Sequence, residues 1–244
     1  MKCGVILVSH GSREAGSNEA FVRLAAELRA RRPDWRVESA FLDYGRPPLH
    51  EVLHDLAAAG VAPIAVLPCY LFPGGRAEAD ITSAVDEVAK RRPGAVIRVA
   101  KPLGDHEATP DILVDEIPVE GLETPQSVVV LIAAGSVALA NRDSVERLAG
   151  VIRMRSGLTV RYGYLDQGEP LVETVMSEVL SATPPYAAVL PCLVFPGLFM
   201  RDLSRAITGW RMSYQGIKIY LGKPLADDPR LAAILEAEAK ELLV

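Results

Sequence analysis

Hydrophobic residues in this chain occur as short continuous runs, separated by longer stretches with helical spacing. The first run, residues 3–9 (CGVILVS), is apolar up to its last position and predicts a strand buried on both faces. Apolar side chains then recur at Leu24, Ala25 and Leu28, which is the spacing of one face of a helix. Repeated alternation of the two patterns predicts βα units and a parallel sheet.

The same alternation continues to the end of the chain. Strands are predicted at 3–9, 35–42, 64–71, 95–100, 127–133, 158–165, 186–194 and 217–221. Helices are predicted from about residue 18, after Pro47-Pro48, at 77–90, 141–155, 169–180 and 199–210, and from about Pro229.

The pattern occurs twice. Residues 68–74 read PCYLFPG and residues 191–197 read PCLVFPG, and the offset between equivalent positions stays at 122 to 124 along the chain. The first strand of each copy ends in a similar tripeptide, His10-Gly11-Ser12 in one and Ala134-Gly135-Ser136 in the other. A polar, proline-containing link near 119–126 separates the copies, so domains are predicted at 1–122 and 123–244.

These patterns predict an α/β fold of two similar domains. Each is expected to be a four-stranded, mostly parallel sheet flanked by helices, and the two to be related by a pseudo-twofold axis with a cleft between them. Ligands of open α/β sheets bind beyond the carboxyl ends of the strands, so the loops after the strands are the places to look for chemistry.

Composition excludes several classes of function. A net charge of −5 without a basic run argues against a nucleic-acid partner. The apolar runs are too short to span a bilayer, and the chain enters its first strand without a signal peptide, so no membrane partner is expected. Three cysteines (Cys3, Cys69 and Cys192) show no paired spacing, which favours a reducing, cytoplasmic setting.

Two stretches of the first copy together resemble a known family. An HGSR motif ends the first strand, an asparagine follows, and an LPxxLxxGG stretch with a later Asp-Ile follows the third strand. The chain thereby resembles the sirohydrochlorin chelatases of the class II chelatase family, in their long, internally duplicated form. The matching residues are His10, Gly11, Ser12, Arg13, Asn18, Pro68, Leu71, Gly74, Asp80 and Ile81.

The resemblance implies insertion of Co²⁺ or Fe²⁺ into sirohydrochlorin, in cobalamin or sirohaem synthesis. The metal would be a co-substrate, no organic cofactor would be needed, and a monomer could suffice because one chain holds both halves. His10 is expected to act as base and metal ligand, since a histidine can offer a neutral imidazole near pH 7. The residues expected to contact the tetrapyrrole and its carboxylates are Ser12, Arg13, Arg46, Gly74, Gly75 and Arg76.

The sequence also departs from the family pattern. Family members typically carry a second histidine in the stretch that reads GGRA at 74–77, where Arg76 stands here. In the second copy, Ala134 replaces the first histidine, and Leu198 or Phe199 the other. The alternative function is therefore a protein that binds a tetrapyrrole or a metal without insertion.

Plainer interpretations accompany several residues. Ser12 and Asn18 can cap the following helix, and each arginine can be a solvated surface residue. His50-Glu51-Val52-Leu53-His54 matches the HExxH string of zinc proteases, but the predicted core face of its helix leaves both histidines on the flank. Cys69 and Cys192 are expected to be buried structural cysteines rather than metal ligands. Phosphotransfer through His10 would lack a glycine-rich phosphate loop.

Overall fold

The computed structural model describes residues 3–135 and 138–244, and this part of the chain is a regular succession of strands and helices. The strands are β1 (Gly4–Gly11), β2 (Arg36–Tyr44), β3 (Ile64–Pro68), β4 (Ile97–Val99), β5 (Val128–Gly135), β6 (Thr159–Gln167), β7 (Tyr186–Cys192) and β8 (Lys218–Leu221). The α-helices are α1 (Ala15–Arg31), α2 (Leu49–Ala58), α3 (Arg76–Arg91), α4 (Thr109–Asp115), α5 (Val119–Glu123), α6 (Leu139–Ser156), α7 (Val172–Ser181), α8 (Leu198–Ser213) and α9 (Arg230–Leu242).

The strands form two four-stranded sheets of identical topology. Their orders are β2-β1-β3-β4 and β6-β5-β7-β8, and every pairing within them is parallel. These sheets, flanked by helices, confirm the predicted α/β class and its duplication. Each predicted strand and helix is present, with ends shifted by a few residues.

The central strands are buried on both faces, which explains their uninterrupted apolar sequences. Val5 to Val8 of β1 and Ile64 to Leu67 of β3 are fully inaccessible to solvent. The helices cover the sheet with apolar stripes. In α1 this stripe consists of Ala20, Phe21, Leu24, Ala25 and Leu28, and in α2 of Leu49, Val52, Leu53 and Leu56. Such packing fixes the strand ends, where the candidate site lies.

Two local predictions differ from the structure. The third strand was expected to run to residue 71 but ends at Pro68, because the carbonyl oxygens of Tyr70 and Leu71 accept hydrogen bonds from a 3₁₀ turn at Leu103–Asp105 instead of a neighbouring strand. The link expected near 119–126 contains the short helix α5. Gly121 permits that helix to approach β7, since a Cβ there would lie 2.6 Å from the Tyr186 ring.

The chain divides into two compact units whose limits differ from the predicted boundary between residues 122 and 123. One unit comprises the chain up to His106 together with Asp228–Val244, and the other is Glu107–Asp227. The cause is a reciprocal exchange of helices. Helix α9, from the second sequence copy, packs on α1 and β3 of the first unit, whereas α4, from the first copy, packs on α6 of the second unit.

Ion pairs attach α9 to its unit. Glu236 of α9 accepts a hydrogen bond from Arg31 Nε of α1 at 3.0 Å and lies 2.6 Å from Lys240 Nζ. Hydrogen bonding from Lys240, and then from Arg31, lowers the pKa of the Glu236 carboxyl below its usual range. None of the helices in the described ranges is long and apolar enough to cross a bilayer.

Candidate active site at the strand ends of the first unit

His10 is presented by an irregularity at the end of β1. Ser9 pairs with Phe41 of β2, but Gly11 pairs with Tyr44, so the register shifts at His10. Gly11 has φ +83°, and a Cβ there would lie 2.5 Å from the Tyr44 carbonyl oxygen. A bulge of this kind redirects a side chain. The His10 side chain is 49% exposed, although β1 is otherwise buried up to Ser9.

His10, Asp43 and Arg76 form a cluster at this edge. His10 Nε2 lies 3.4 Å from Asp43 Oδ2, and Arg76 Nη2 donates a hydrogen bond to the other carboxylate oxygen of Asp43 at 3.2 Å. Arg76 Nε is also 3.3 Å from Asp80 Oδ2. The Asp43 carboxylate therefore lies between the imidazole and the guanidinium. The Arg76 side chain remains 72% exposed.

Two glycines position Arg76 at the start of α3. Gly74 and Gly75 have φ values of +94° and +85°, a region that favours glycine. The Gly74 N–H donates to Glu78 Oε2 at 2.8 Å, which ties this loop to the first turn of the helix. Substrate contact by both glycines stays a prediction, and in the structure they form the turn that places Arg76 at the start of α3.

Tyr44 forms a second contact with the histidine and with Arg13. Its ring lies edge-on to His10 with centroids 6.0 Å apart, and the Arg13 guanidinium carbon is 5.1 Å from its centroid. Arg13 Nη2 also donates to the Tyr44 hydroxyl at 3.5 Å. A cation stacked on tyrosine gains modest energy and leaves its outer N–H groups free to bind carboxylates.

Ser12 and Asn18 organise the loop between β1 and α1. Asn18 Oδ1 accepts from the Ser12 N–H, and Asn18 Nδ2 donates to the carbonyls of Ser12 and Tyr44, all at 2.9 Å. The Ser12 hydroxyl accepts from the Glu14 N–H at 3.1 Å. Asn18 thus connects this loop to the end of β2 instead of capping α1. Substrate contact by Ser12 stays a prediction.

Arg46 lies further along the same edge. It lines a groove of about 440 Å³ together with Asn18, Glu19 and Arg23. Within the part of the chain that the structure describes, no hydrogen bond or ion pair joins Arg46 to His10, Asp43 or Arg76. The structure therefore brings together His10, Arg13 and Arg76 of the predicted residues and leaves Arg46 beside them.

The two buried cysteines do not join the site. Cys69 and Cys192 are 5% and 4% exposed. Burial raises the pKa of each thiol to about 12, so both remain protonated near neutral pH. This agrees with the structural role expected for them. Among the described residues, no group of three or more His, Cys, Asp or Glu side chains could hold a metal ion.

In the described residues of the second unit, the strand-end bulge of this site is kept, but alanine and leucine stand where the first unit has His10 and Arg76. The register of β5 and β6 shifts between Ala133 and Gly135, as in β1, and a Cβ on Gly135 would lie 2.2 Å from the Gln167 carbonyl oxygen. Ala134 occupies the bulge, at the position of His10. Helix α8 begins with the exposed Leu198, whereas the corresponding helix α3 of the first unit begins with Arg76. Ser136 lies outside the described residues.

Sequence reasoning missed Asp43 and Tyr44. A signal for the aspartate was present, because LDxGxP occurs in both copies, at 42–47 and at 165–170. Both aspartates lie one residue before the end of a strand that is adjacent to the first strand of their sheet. Repetition of a polar residue at a strand end could have marked Asp43 as a partner for His10.

Among the described residues, the fold and the site define a duplicated α/β protein whose first copy carries an exposed histidine, a carboxylate and two arginines at its strand ends. The CbiX family model matches residues 4–118 and 128–242, which cover both sequence copies. The chain belongs to the CbiX family.

Similar proteins span nearly the whole chain. A sirohydrochlorin cobaltochelatase of Priestia megaterium is 26% identical over 97% of this chain and 79% of its own length. A sirohydrochlorin ferrochelatase of the same organism is 24% identical over 98% of this chain and 90% of its own length. The structure of SirB from Bacillus subtilis with Fe³⁺ has the same fold, with a TM-score of 0.85 at 22% identity over 100% of this chain and 96% of that one.

Proposed function

We propose that this chain inserts a divalent metal, Co²⁺ or Fe²⁺, into sirohydrochlorin and thereby acts in cobalamin or sirohaem synthesis. The observation that carries the proposal is the half-exposed His10 imidazole, 3.4 Å from the Asp43 carboxylate at the carboxyl end of β1. Support comes from relatives that match almost the full chain and are named as cobalt and iron chelatases of this tetrapyrrole. The cytoplasmic setting and the sufficiency of a monomer remain part of the proposal.

The reaction replaces two pyrrole N–H protons by one M²⁺ ion, so the site must bind the ion while both protons leave, one to a base of the site and the other to solvent. His10 is suited to both tasks, since a neutral imidazole can ligate a metal or act as a base. Asp43 stabilises the imidazolium that forms when His10 takes a proton. The metal is a substrate in this scheme, and the nitrogens of the macrocycle take over its coordination.

The arginines serve substrate binding. Sirohydrochlorin carries many carboxylates, and a guanidinium pairs with a carboxylate through parallel hydrogen bonds. Arg76 is largely exposed although it contacts Asp43 and Asp80, so part of its donor set is available to a ligand. Arg13, held on the Tyr44 ring, offers a second cation next to the aromatic neighbour of His10.

Binding without insertion is the second candidate function. The position where the family carries another histidine holds Arg76, which engages the carboxylate beside His10 and is itself no metal ligand. This substitution leaves one imidazole in the cluster.

The test is a parallel titration with sirohydrochlorin and Co²⁺ or Fe²⁺, followed by visible absorption. Metallation faster than the background reaction supports a chelatase, whereas a bound but unmetallated spectrum supports the second candidate. In a chelatase, His10→Ala is expected to lower the rate by about 10²–10⁴-fold, because base and metal ligand are lost together. Tetrapyrrole affinity and thermal stability should stay near wild type, and His106→Ala serves as the histidine control. Insertion by His10→Ala at the wild-type rate would remove His10 from the mechanism.

A further inference from the structure

Helix α2 presents two histidines that the proposed reaction does not use. His50 and His54 are four residues apart, so they lie one turn apart on the same face of the helix, with Cβ atoms about 5–6 Å from each other. The buried stripe of α2 excludes both of them, and each is exposed. Two imidazoles at this spacing can turn their nitrogens towards a single ion.

The histidines face a groove between α2 and α3. This groove has a volume of about 430 Å³, and its polar lining consists of His50, Glu51, His54, Asp55, Glu87 and Arg91. Arg91 is paired with Glu87 at 2.8 Å, so these two charges of the lining cancel, and the two remaining carboxylates, Glu51 and Asp55, give the groove a negative potential. Asp55 Oδ1 lies 3.6 Å from His54 Nδ1, which leaves Nε2 of that ring for a ligand.

We infer that His50 and His54 together bind a divalent transition metal in this groove, at a site distinct from the His10 cluster. Imidazole nitrogen suits Cu²⁺, Ni²⁺, Co²⁺ and Zn²⁺, and affinity should be greatest for Cu²⁺. Since no group of three or more ligating side chains occurs in the described ranges, the ion is held by two nitrogens, and water completes its coordination. Such a site binds reversibly and gives no protease activity, for which the HExxH string would need a third protein ligand.

The second copy provides a natural control. Helix α7 has the same length and sequence offset as α2, and it carries Glu173 and Ser177 where α2 carries the histidines. Both positions are exposed. Changing them to histidine should therefore reproduce the chelating pair on a scaffold of the same geometry, without disturbing a core.

The experiment is calorimetric titration with Ni²⁺ in a His10→Ala background, which removes the strand-end imidazole from the measurement. We expect one Ni²⁺ site, with affinity lowered on the order of 10²-fold by either His50→Gln or His54→Gln, because each leaves a single ligand in place of a linked pair. His106→Gln should leave the affinity unchanged. The E173H/S177H double variant should add a second site.

Several results would overturn the inference. These are the absence of Ni²⁺ binding in the His10→Ala background, equal affinities before and after either glutamine substitution, or loss of the site in His106→Gln. Circular dichroism melting of each variant shows whether it is folded, and exposed substitutions on α2 are expected to leave the melting temperature near wild type. The outcome does not depend on chelatase activity, because metal binding alone is measured.

Discussion

Replacing Asp43 by asparagine removes the negative charge beside His10 and keeps the size of the side chain. At the 3.4 Å separation of His10 Nε2 and Asp43 Oδ2, an imidazolium and a carboxylate attract by about 1 kcal/mol in water and by about 5 kcal/mol at an effective dielectric constant of about 20. His10 is half-exposed, so the lower part of this range applies. We expect a loss of about 1–2 kcal/mol in transition-state stabilisation, or about 5- to 30-fold in kcat.

The assay is the initial rate of Co²⁺ insertion into sirohydrochlorin over a range of substrate concentrations. The loss should fall on kcat and not on KM, because Asp43→Asn also releases Arg76 to bind substrate carboxylates. Asp166→Asn is the matched control, since Asp166 lies one residue before the end of the equivalent strand, in the copy in which Ala134 replaces the histidine. A wild-type kcat for Asp43→Asn, or an equal loss in Asp166→Asn, would refute the reasoning.

Three further predictions concern the scaffold and the arginine. Arg76→His should raise the KM for sirohydrochlorin and strengthen metal binding, and a variant that alters neither places Arg76 outside the site. Gly11→Ala should lower the free energy of unfolding in urea by about 1–3 kcal/mol, because of its positive φ and the nearby β2 carbonyl, whereas Gly16→Ala, with open space around its Cβ, should cause no loss. Glu236→Gln should cost about 0.5–1 kcal/mol near pH 7. The pKa of the Glu236 carboxyl is lowered in the folded state, so its contribution to stability is fully present above the unfolded pKa of about 4.3. The contribution is lost as the pH falls through the folded-state pKa, and there the free energies of unfolding of wild type and Glu236→Gln should become equal.

The sequence was sufficient to locate His10 at a strand end, but it did not identify Asp43 as the carboxylate beside it. An apolar run ending in histidine marks a strand end, because burial on both faces dictates the composition of a central parallel strand. The proximity of Asp43 depends on the register between β1 and β2, which is set by the bulge at His10 and the close approach of Gly11 to Tyr44. Register is a long-range property, and the hydrophobic pattern of either strand alone does not contain it.

The exchange of helices α4 and α9 between the units could likewise not be predicted from the sequence repeat. Helices α4 and α9 each follow the last strand of their copy. The hydrophobic pattern of either helix fits the sheet of one unit as well as that of the other, so the pattern does not say which sheet the helix covers. Contacts such as that between Arg31 and Glu236, which are distant in sequence, reveal which sheet each helix covers. Periodicity therefore predicts that these helices exist, and tertiary packing determines where they dock.

Because of the helix exchange, the unit whose synthesis begins first is the unit that is completed last. The second unit is contiguous, so all its residues have been made once Asp227 is added. The unit that carries His10 begins first but requires α9, whose residues leave the ribosome after every residue of the other unit. A stop codon or a proteolytic cut just before Arg230 would therefore take a helix from the His10 unit and spare the second, although the lost residues belong to the second sequence copy.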